Sequence, residues 1–311
     1  MKTRNSPSNP FTVAPLPDKY IEIVEVKSST LTYTGRAMTP DVTETKPEWQ
    51  IWRTTVIGNT TKAEVAGDGA FAYRWADRMT LFPAPTFENT RSLVFDGIND
   101  SVDFGNVFNY DHTNQWSMSF WIKPDNTAAQ RALYSKTSND ANVYGWGLYI
   151  DASGRLMLQM RAPGALRQHT GTAVIPSGQW TQVTMTYNGS SNINGVRFYL
   201  NGVLDTVTAT GAFSSSLLTG APARLGQRNG GFFFVGKMDE AYIFSRALTG
   251  AEVVELYHLG SPNNPINFSF YSAIVDYYKL GDGDLSVTAF DTIGTNPGTL
   301  SGSPAFSSDV P

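Results

Sequence analysis

The sequence predicts an all-β chain whose largest part is an antiparallel sandwich of two sheets, and three observations predict it. Apolar residues recur with a period of two along most of the chain, Gly and Asn turn signals separate the segments so marked, and strands do not alternate with helical segments. The composition agrees. Of 311 residues, 41% are hydrophobic and 13% aromatic, enough to bury cores. Only 16% are charged, against about 25% in an average domain.

The elements follow in chain order. Tyr20 to Val26 and Trp49 to Ile57 read as strands, and Gly67-Asp-Gly69 as a turn leading into the aromatic stretch Phe71 to Trp75. The Pro-bearing stretch Phe82-Pro-Ala-Pro-Thr-Phe87 then marks a boundary. Beyond it lies the cleanest alternation, Trp116, Met118, Phe120 and Ile122 with Ser117, Ser119 and Trp121 between them, the pattern of a half-buried strand. It returns at Leu156, Leu158 and Met160, at Val183, Met185 and Tyr187, and at Val196, Phe198 and Leu200. Asp151-Ala-Ser-Gly154, Asn188 to Asn192, Asn194-Gly195 and Asn201-Gly202 supply turns in which Gly or Asn takes positive φ. One helix starts at Thr249-Gly-Ala-Glu252, a capping box, with Val253, Val254 and Tyr257 on one face and Gly260 as its stop. After a second boundary at Gly260-Ser-Pro-Asn-Asn-Pro265, strand-like Tyr277-Tyr-Lys-Leu280 sits among Gly, Ser, Thr and Asp. That tail has too little apolar surface for a core of its own and must pack on something else. The resulting division is an N-terminal arm at 1–17, a small β-rich module at 18–86, the sandwich at 87–261 and an extended C-terminal strap at 262–311.

Several function classes fall away on chemistry. With 23 basic and 27 acidic residues the net charge is -4, which gives no general attraction to nucleic acid or an anionic membrane. The absence of cysteine excludes disulfides, thiolate metal sites and cysteine nucleophiles. No apolar run approaches the roughly 20 residues of a membrane helix, and Met1 to Pro17 lacks a signal-peptide apolar segment, so the chain reads as soluble and not exported by that route. His112, His169 and His258 sit in no metal-spaced or base-like motif. There is no G-x-S-x-G elbow, and Arg228-Asn-Gly-Gly231 runs into Phe232 without the Lys-Ser/Thr pair of a phosphate loop. Glycoside hydrolysis needs two carboxylates flanking one bond. Asp239 and Glu240 are adjacent, and on a regular strand they point to opposite faces.

Two binding chemistries stay open. Tyr144, Trp146, Phe232 and Phe233, beside flexible glycines, are candidates for a ring platform that stacks on sugars; as core or subunit-contact residues they have a plainer explanation. The loop Asp96-Gly-Ile-Asn-Asp100 offers Asp96, Asn99 and Asp100 as oxygen ligands for a structural calcium ion, the alternative being Asx-turn hydrogen bonding. No cofactor is required.

An ordered series of motifs adds a resemblance. Phe95-Asp-Gly-Ile-Asn-Asp-Ser-Val102, Phe120-Trp-Ile-Lys-Pro124, Gly147-Leu-Tyr149, Gly178-Gln-Trp-Thr-Gln-Val183, Phe198-Tyr-Leu-Asn-Gly202 and Gly236-Lys-Met-Asp-Glu240 lead to Arg246-Ala-Leu-Thr-Gly-Ala-Glu252. Over roughly Ser92 to Gly260 this series resembles the laminin-G-like, concanavalin-A-like family. The resemblance implies a two-sheet jelly roll with the Thr249 helix at its C-terminal end, Trp180 in the core, and Asp239 as the distal carboxylate of the calcium site. Enzymes of this fold carry E-x-D-x-x-E on a strand, which is absent. The flanks, with Tyr33-Thr-Gly-Arg-Ala37, Trp75-Ala-Asp-Arg78, Tyr277-Tyr-Lys-Leu-Gly-Asp-Gly-Asp284 and Ser307-Ser-Asp-Val-Pro311, resemble segments of laminin-G-containing bacteriophage virion proteins. The implied role is a non-enzymatic virion structural protein, a capsid decoration or a tail or fibre component. Its termini would be held by other virion proteins, in a homo-oligomer, with no nucleic-acid or membrane partner. The alternative is a carbohydrate-binding module that recognises a host surface glycan.

Overall fold

The computed structural model describes residues 11–15, 21–28, 31–37, 49–57, 60–65 and 87–311, except 139–142, 193, 212–214 and 229–230. The chain divides into two units, Met1–Phe87 and Glu88–Pro311. In the first, β1 (Phe11–Pro15), β2 (Ile21–Ser28), β3 (Leu31–Ala37), β4 (Trp49–Ile57) and β5 (Thr60–Val65) form one antiparallel sheet in chain order. β2 and β4 lie where alternation placed them. The 1–17 arm is more than an arm, since β1 pairs with β2 from Phe11↔Glu25 to Pro15↔Ile21. The Gly67 turn, the Phe71 to Trp75 stretch and the Trp75-Ala-Asp-Arg78 motif lie outside the described residues.

The second unit contains β6 (Ser92–Asp96), β7 (Ser101–Asp103), β8 (Gln115–Pro124), β9 (Arg131–Thr137), β10 (Gly145–Ile150), β11 (Arg155–Ala162) and β12 (Ala165–Val174). There follow β13 (Thr181–Asn188), β14 (Val196–Leu200), β15 (Val203–Asp205), β16 (Val207–Thr210), β17 (Ala223–Leu225) and β18 (Val235–Phe244). Helix α1 (Gly250–Tyr257) precedes β19 (Ile274–Tyr278), β20 (Thr288–Ala289), β21 (Gly298–Ser301) and β22 (Ala305–Ser307). One sheet has nine strands in the order β16-β12-β11-β10-β9-β17-β7-β21-β20. The other runs β15-β14-β13-β8-β18-β6-β22, with β19 also on β18. Both are antiparallel, so the expected sandwich is present.

Its core is the inner phase of the strands. Trp116, Met118, Phe120 and Ile122 of β8, Leu156, Leu158 and Met160 of β11, and Val183, Met185 and Tyr187 of β13 are buried in one cluster. The other phase is covered too, with Ser117, Ser119 and Trp121 of β8 also buried, so β8 is buried on both faces and not half-buried as its alternation suggests, and a slip of one residue would carry Ser117 and Ser119 into the apolar core. At Asn201-Gly202, φ values of 49° and 74° give the tight β14–β15 hairpin. Helix α1 has its capping box, Glu252 N–H donating to Thr249 Oγ1 and Thr249 N–H to Glu252 Oε2. It buries Val253 and Leu256, leaves Val254 exposed, and ends at Tyr257 with His258 in the left-handed region, one turn before the expected Gly260.

The segment 262–311 is not a strap reaching away from the sandwich. The tail packs on the chain's own sheets. β19 pairs with β18, β21 with β7 and β22 with β6. Asp282 accepts hydrogen bonds from Thr90 N, Thr90 Oγ1 and Arg91 N, closing the tail onto the start of the unit. Trp180, expected in the core, is instead half-buried and donates its Nε1–H to Asp309 Oδ1 at 3.0 Å. Asp309 also accepts from Lys123 Nζ at 2.7 Å and is paired with Lys237 Nζ at 3.1 Å. Lys123 foremost holds its carboxyl down at about 2. Asp309→Ala is expected to cost about 1 kcal/mol and lower Tm by roughly 2–4 °C. An unchanged melt would show that β22 is held by its backbone pairing alone.

Candidate functional site

The outer phase of the nine-stranded sheet builds a second, smaller surface cluster. On β10 the inner residues are Trp146, Leu148 and Ile150, which leaves Gly147 and Tyr149 on the opposite face. On β11 the same logic puts Met157, Gln159 and Arg161 outside, and register carries the face across to Thr170, Gln168 and Leu166 of β12. Ala132, Tyr149 and Met157 form an apolar patch separate from the main core. Beside it runs a polar ladder. Arg161 Nη2 donates to Gln159 Oε1 at 3.0 Å, Gln159 Nε2 to Gln168 Oε1 at 2.9 Å, and Gln168 Nε2 to Thr170 Oγ1 at 3.3 Å.

The loop between β17 and β18 crosses this face. Ser135 Oγ donates to the Gln227 carbonyl at 2.8 Å, Ala132 N to the Phe232 carbonyl at 2.7 Å, and Arg131 Nη1 to the Phe233 carbonyl at 3.0 Å. Arg228 and Gly231 exchange backbone hydrogen bonds in a tight turn, which delivers Phe232 at φ 59°, a left-handed conformation costly for a bulky residue. Its ring is 40% exposed, meets Tyr149 edge-on at 6.4 Å, and has the Arg228 guanidinium 5.1 Å from its centroid. Tyr149 is fully buried beneath, which pushes its phenol up to about 12.

Of the residues expected to form a ring platform, Phe232 is exposed. Phe233 is half-buried beside it, and Tyr144 is half-buried just ahead of β10 with its backbone tied to Ser138. Trp146 must be corrected. It is 1% exposed and packs in the core against Trp116 at 4.9 Å and Tyr134 at 5.6 Å, because residue 146 belongs to the inner phase of β10. Tyr149, Gln159, Arg161 and Arg228 were missed, although the outer phase of β10 and β11 was available as a signal.

The calcium set does not converge. Asp96 Oδ1 accepts from Ile98 N at 2.7 Å and Asn99 N at 3.3 Å, the Asx-turn arrangement, and Asp100 Oδ2 accepts from Asp96 N at 2.9 Å. Asp96 pairs with Val235, so Asp239 stands four residues farther along β18, roughly 13 Å at strand rise. Asp239 is fully buried and already accepts from Asn89 Nδ2 at 3.0 Å and from Glu240 N at 2.9 Å. These residues do not fit one ion. Among the described residues no group of three or more His, Cys, Asp or Glu is placed to hold a metal.

Asp239 and Glu240 also depart from the expected opposite faces. A β-bulge between Asp239 and Tyr242, with Glu240 at φ 50°, inserts an extra residue opposite β8 and turns both carboxyls away from the inner face occupied by Met238, Ala241 and Ile243. Glu240 accepts from Tyr242 Oη at 3.2 Å and from Tyr277 Oη. Both carboxyls are buried, 0% and 1% exposed, and burial raises both, Glu240 to about 8. Glu240, through the Tyr277 hydroxyl, fastens the tail to β18, while Asp239 ties Asn89 to the same strand. Among the histidines, His112 pairs with Asp111, His169 is buried, and His258 caps α1.

A protein described as a candidate carbohydrate-binding protein from Bacteroides ovatus is similar over 96% of this chain and 86% of its own, at 14% identity and a TM-score of 0.51. Domain 4 of an extracellular arabinanase from Geobacillus stearothermophilus, solved with arabinotriose, is similar over 53% of this chain and 76% of its own, at 25% identity and a TM-score of 0.40. A heptameric SAP-like pentraxin from Limulus polyphemus is similar over 54% and 82%, at 18% identity and a TM-score of 0.41. No curated protein sequence matches. The model of the concanavalin A-like lectin/glucanases superfamily, in its laminin G form, matches residues 96–254, just over half of the chain. Together with the two antiparallel sheets and the core described above, that match shows that this chain belongs to the concanavalin A-like lectin/glucanases superfamily.

Proposed function

We propose that the protein binds carbohydrate on the outer face of β9–β12, beside Arg228 and Phe232. The observation that carries this reading is Phe232. A large ring held in a strained backbone conformation, 40% exposed over Tyr149 and next to a guanidinium, is a surface that sugar rings can stack on. The Gln159–Gln168–Thr170 ladder beside it offers the planar amides and hydroxyl that orient sugar hydroxyls. The family and the carbohydrate-binding description of the Bacteroides ovatus protein support the same reading. None of these comparisons links the chain to a phage particle. The strands of 262–311, expected to reach neighbouring subunits, are engaged within the chain. The role is binding, since the adjacent carboxylate pair lies buried under the tail.

The test is a glycan microarray followed by titration calorimetry on the strongest hit. Phe232→Ala is expected to weaken binding at least about tenfold, the worth of one ring–sugar stacking contact. Leu259→Ala, on a residue 97% exposed at the far end of α1, should leave binding unchanged. A wild-type chain that binds no glycan, or a Phe232→Ala chain that binds as wild type, would refute the reading.

A further inference from the structure

Two guanidiniums without an acid occupy the face described above. Among the described residues Arg161 donates to Gln159 Oε1, at 3.3 Å from Nε and 3.0 Å from Nη2. Arg228 has its Nε buried without a partner and its guanidinium over Phe232. Among the described residues neither forms an ion pair with a carboxylate. Arg161 pairs across β10 with Gly145, two residues from the Gly147 backbone against which the Tyr149 hydroxyl rests, so it stands on the same face as the Phe232–Arg228 contact, and burial, then the charge of Arg228, lower it from its ordinary value. Like charges gathered on a half-buried surface are a cost that an anion would remove.

A third donor lies beneath them. The Tyr149 hydroxyl is fully buried and has no hydrogen-bond partner, and both arginines act on it electrostatically. Gly147 makes room for the phenol itself, since a Cβ there would lie 2.2 Å from Tyr149 Oη. A buried phenol without a hydrogen-bond partner beside two guanidiniums without a carboxylate, among the described residues, lacks one thing, an acceptor carrying negative charge.

We propose that the sugar recognised on this face is acidic, its carboxylate or sulfate received between Arg161 and Arg228 with Tyr149 Oη as a further donor. This rests on the carbohydrate-binding reading of the same site. Phe232 stacks on the ring, and the arginine pair selects charge.

The experiment is an array that displays uronate-containing, sialylated and sulfated glycans beside neutral counterparts of the same backbone, followed by calorimetry on the best matched pair. Wild type is expected to prefer an acidic member at least about tenfold, with an affinity that falls as salt rises. In Arg161→Gln and Arg228→Gln the acidic member should be weakened far more than the neutral one, so that the preference shrinks to about twofold or less while the melting temperature stays close to wild type. Tyr149→Phe should weaken the acidic member more than the neutral one. Carboxylates against sulfates on the array distinguish the two sources of charge, and selection of either supports the proposal. Equal affinity for acidic and neutral partners, or a preference that survives both arginine changes, overturns it and leaves the carbohydrate-binding reading standing. Absence of binding to every glycan on the array removes both.

Discussion

Removal of residues 262–311 is expected to abolish cooperative folding of the sandwich. The segment contributes Phe268, Phe270, Ile274, Tyr277, Tyr278, Leu280 and Leu300, each less than 9% exposed, and Leu280 and Tyr278 belong to the main core. Tyr278 lies 4.7 Å from Phe104 between the sheets and donates its hydroxyl to the Asn296 carbonyl at 2.6 Å. At about 1.5–3 kcal/mol for each large side chain buried, the loss is on the order of 10–20 kcal/mol. That equals or exceeds the roughly 5–15 kcal/mol by which domains are stable.

Electrostatics push the same way. Truncation removes the Tyr277 hydroxyl from Glu240 and uncovers the Tyr242–Phe244 face, which now stacks on Tyr277 at 4.4 Å and meets Phe268 and Phe270. The shortened chain should show no cooperative thermal transition and should bind a hydrophobic dye such as ANS. A truncated chain that melts cooperatively within about 5 °C of the full chain would overturn the account, because a shift that small means at most a few kcal/mol for a unit of this size.

This outcome reverses what the sequence suggests, and the reason is physical. Long strands announce themselves, since β8, β11 and β13 each repeat the two-residue period often enough to be read, and their inner phases are the core. β20 has two residues and β22 three, too short for any period, and their partners lie near 101 and 93 or within the tail itself. A stretch of Gly, Ser and Asp with isolated aromatics therefore looks like a tether when it is a set of closing strands. The same limit explains the site. Trp146, large and next to glycine, suggested an exposed ring, yet phase decides burial and 146 shares its phase with Leu148 and Ile150. Its neighbour on the other phase, Tyr149, is the one that faces the loop. Phe232 could be picked from composition because it follows two glycines. The Arg161–Arg228 pairing could not, as it brings a strand and a loop together over 67 positions of chain. The bulge at Glu240 was hidden for another reason, since extrapolating a period fails wherever one extra residue enters the strand.

Stability should fall as pH rises from about 5 to 8, the reverse of an ordinary acid-unfolding profile. Burial raises Glu240 to about 8, partly offset by the Tyr277 hydroxyl and Lys279. Burial, then the hydrogen bond and charge of Asp291, raises Asp276 to about 8. Burial raises Asp284 to about 6. The folded chain thus holds protons that the unfolded chain has released above about pH 4.5, so unfolding releases protons and each pH unit in that window favours the unfolded state. The stabilising contribution is complete below the unfolded values and is lost as pH passes through the folded ones. Glu252 and Asp309, held at about 2 by Arg246 and Lys123 foremost, and Asp111, also at about 2, act oppositely, since what they contribute is lost only as pH falls below about 4. The maximum therefore lies near pH 4–5. From there to pH 8 each of these carboxyls removes at most about 1.4 kcal/mol per unit, so Tm is expected to fall by at least about 10 °C. Glu240→Gln and Asp276→Asn carry their neutrality at every pH and should each flatten the slope by about a third to a half. A Tm that is level or rising between pH 5 and 8, or a slope that both variants keep, would mean that these carboxyls are ionised in the folded chain. The tail would then be held on β18 by charge, and not by the shared protons of Glu240 and Asp276.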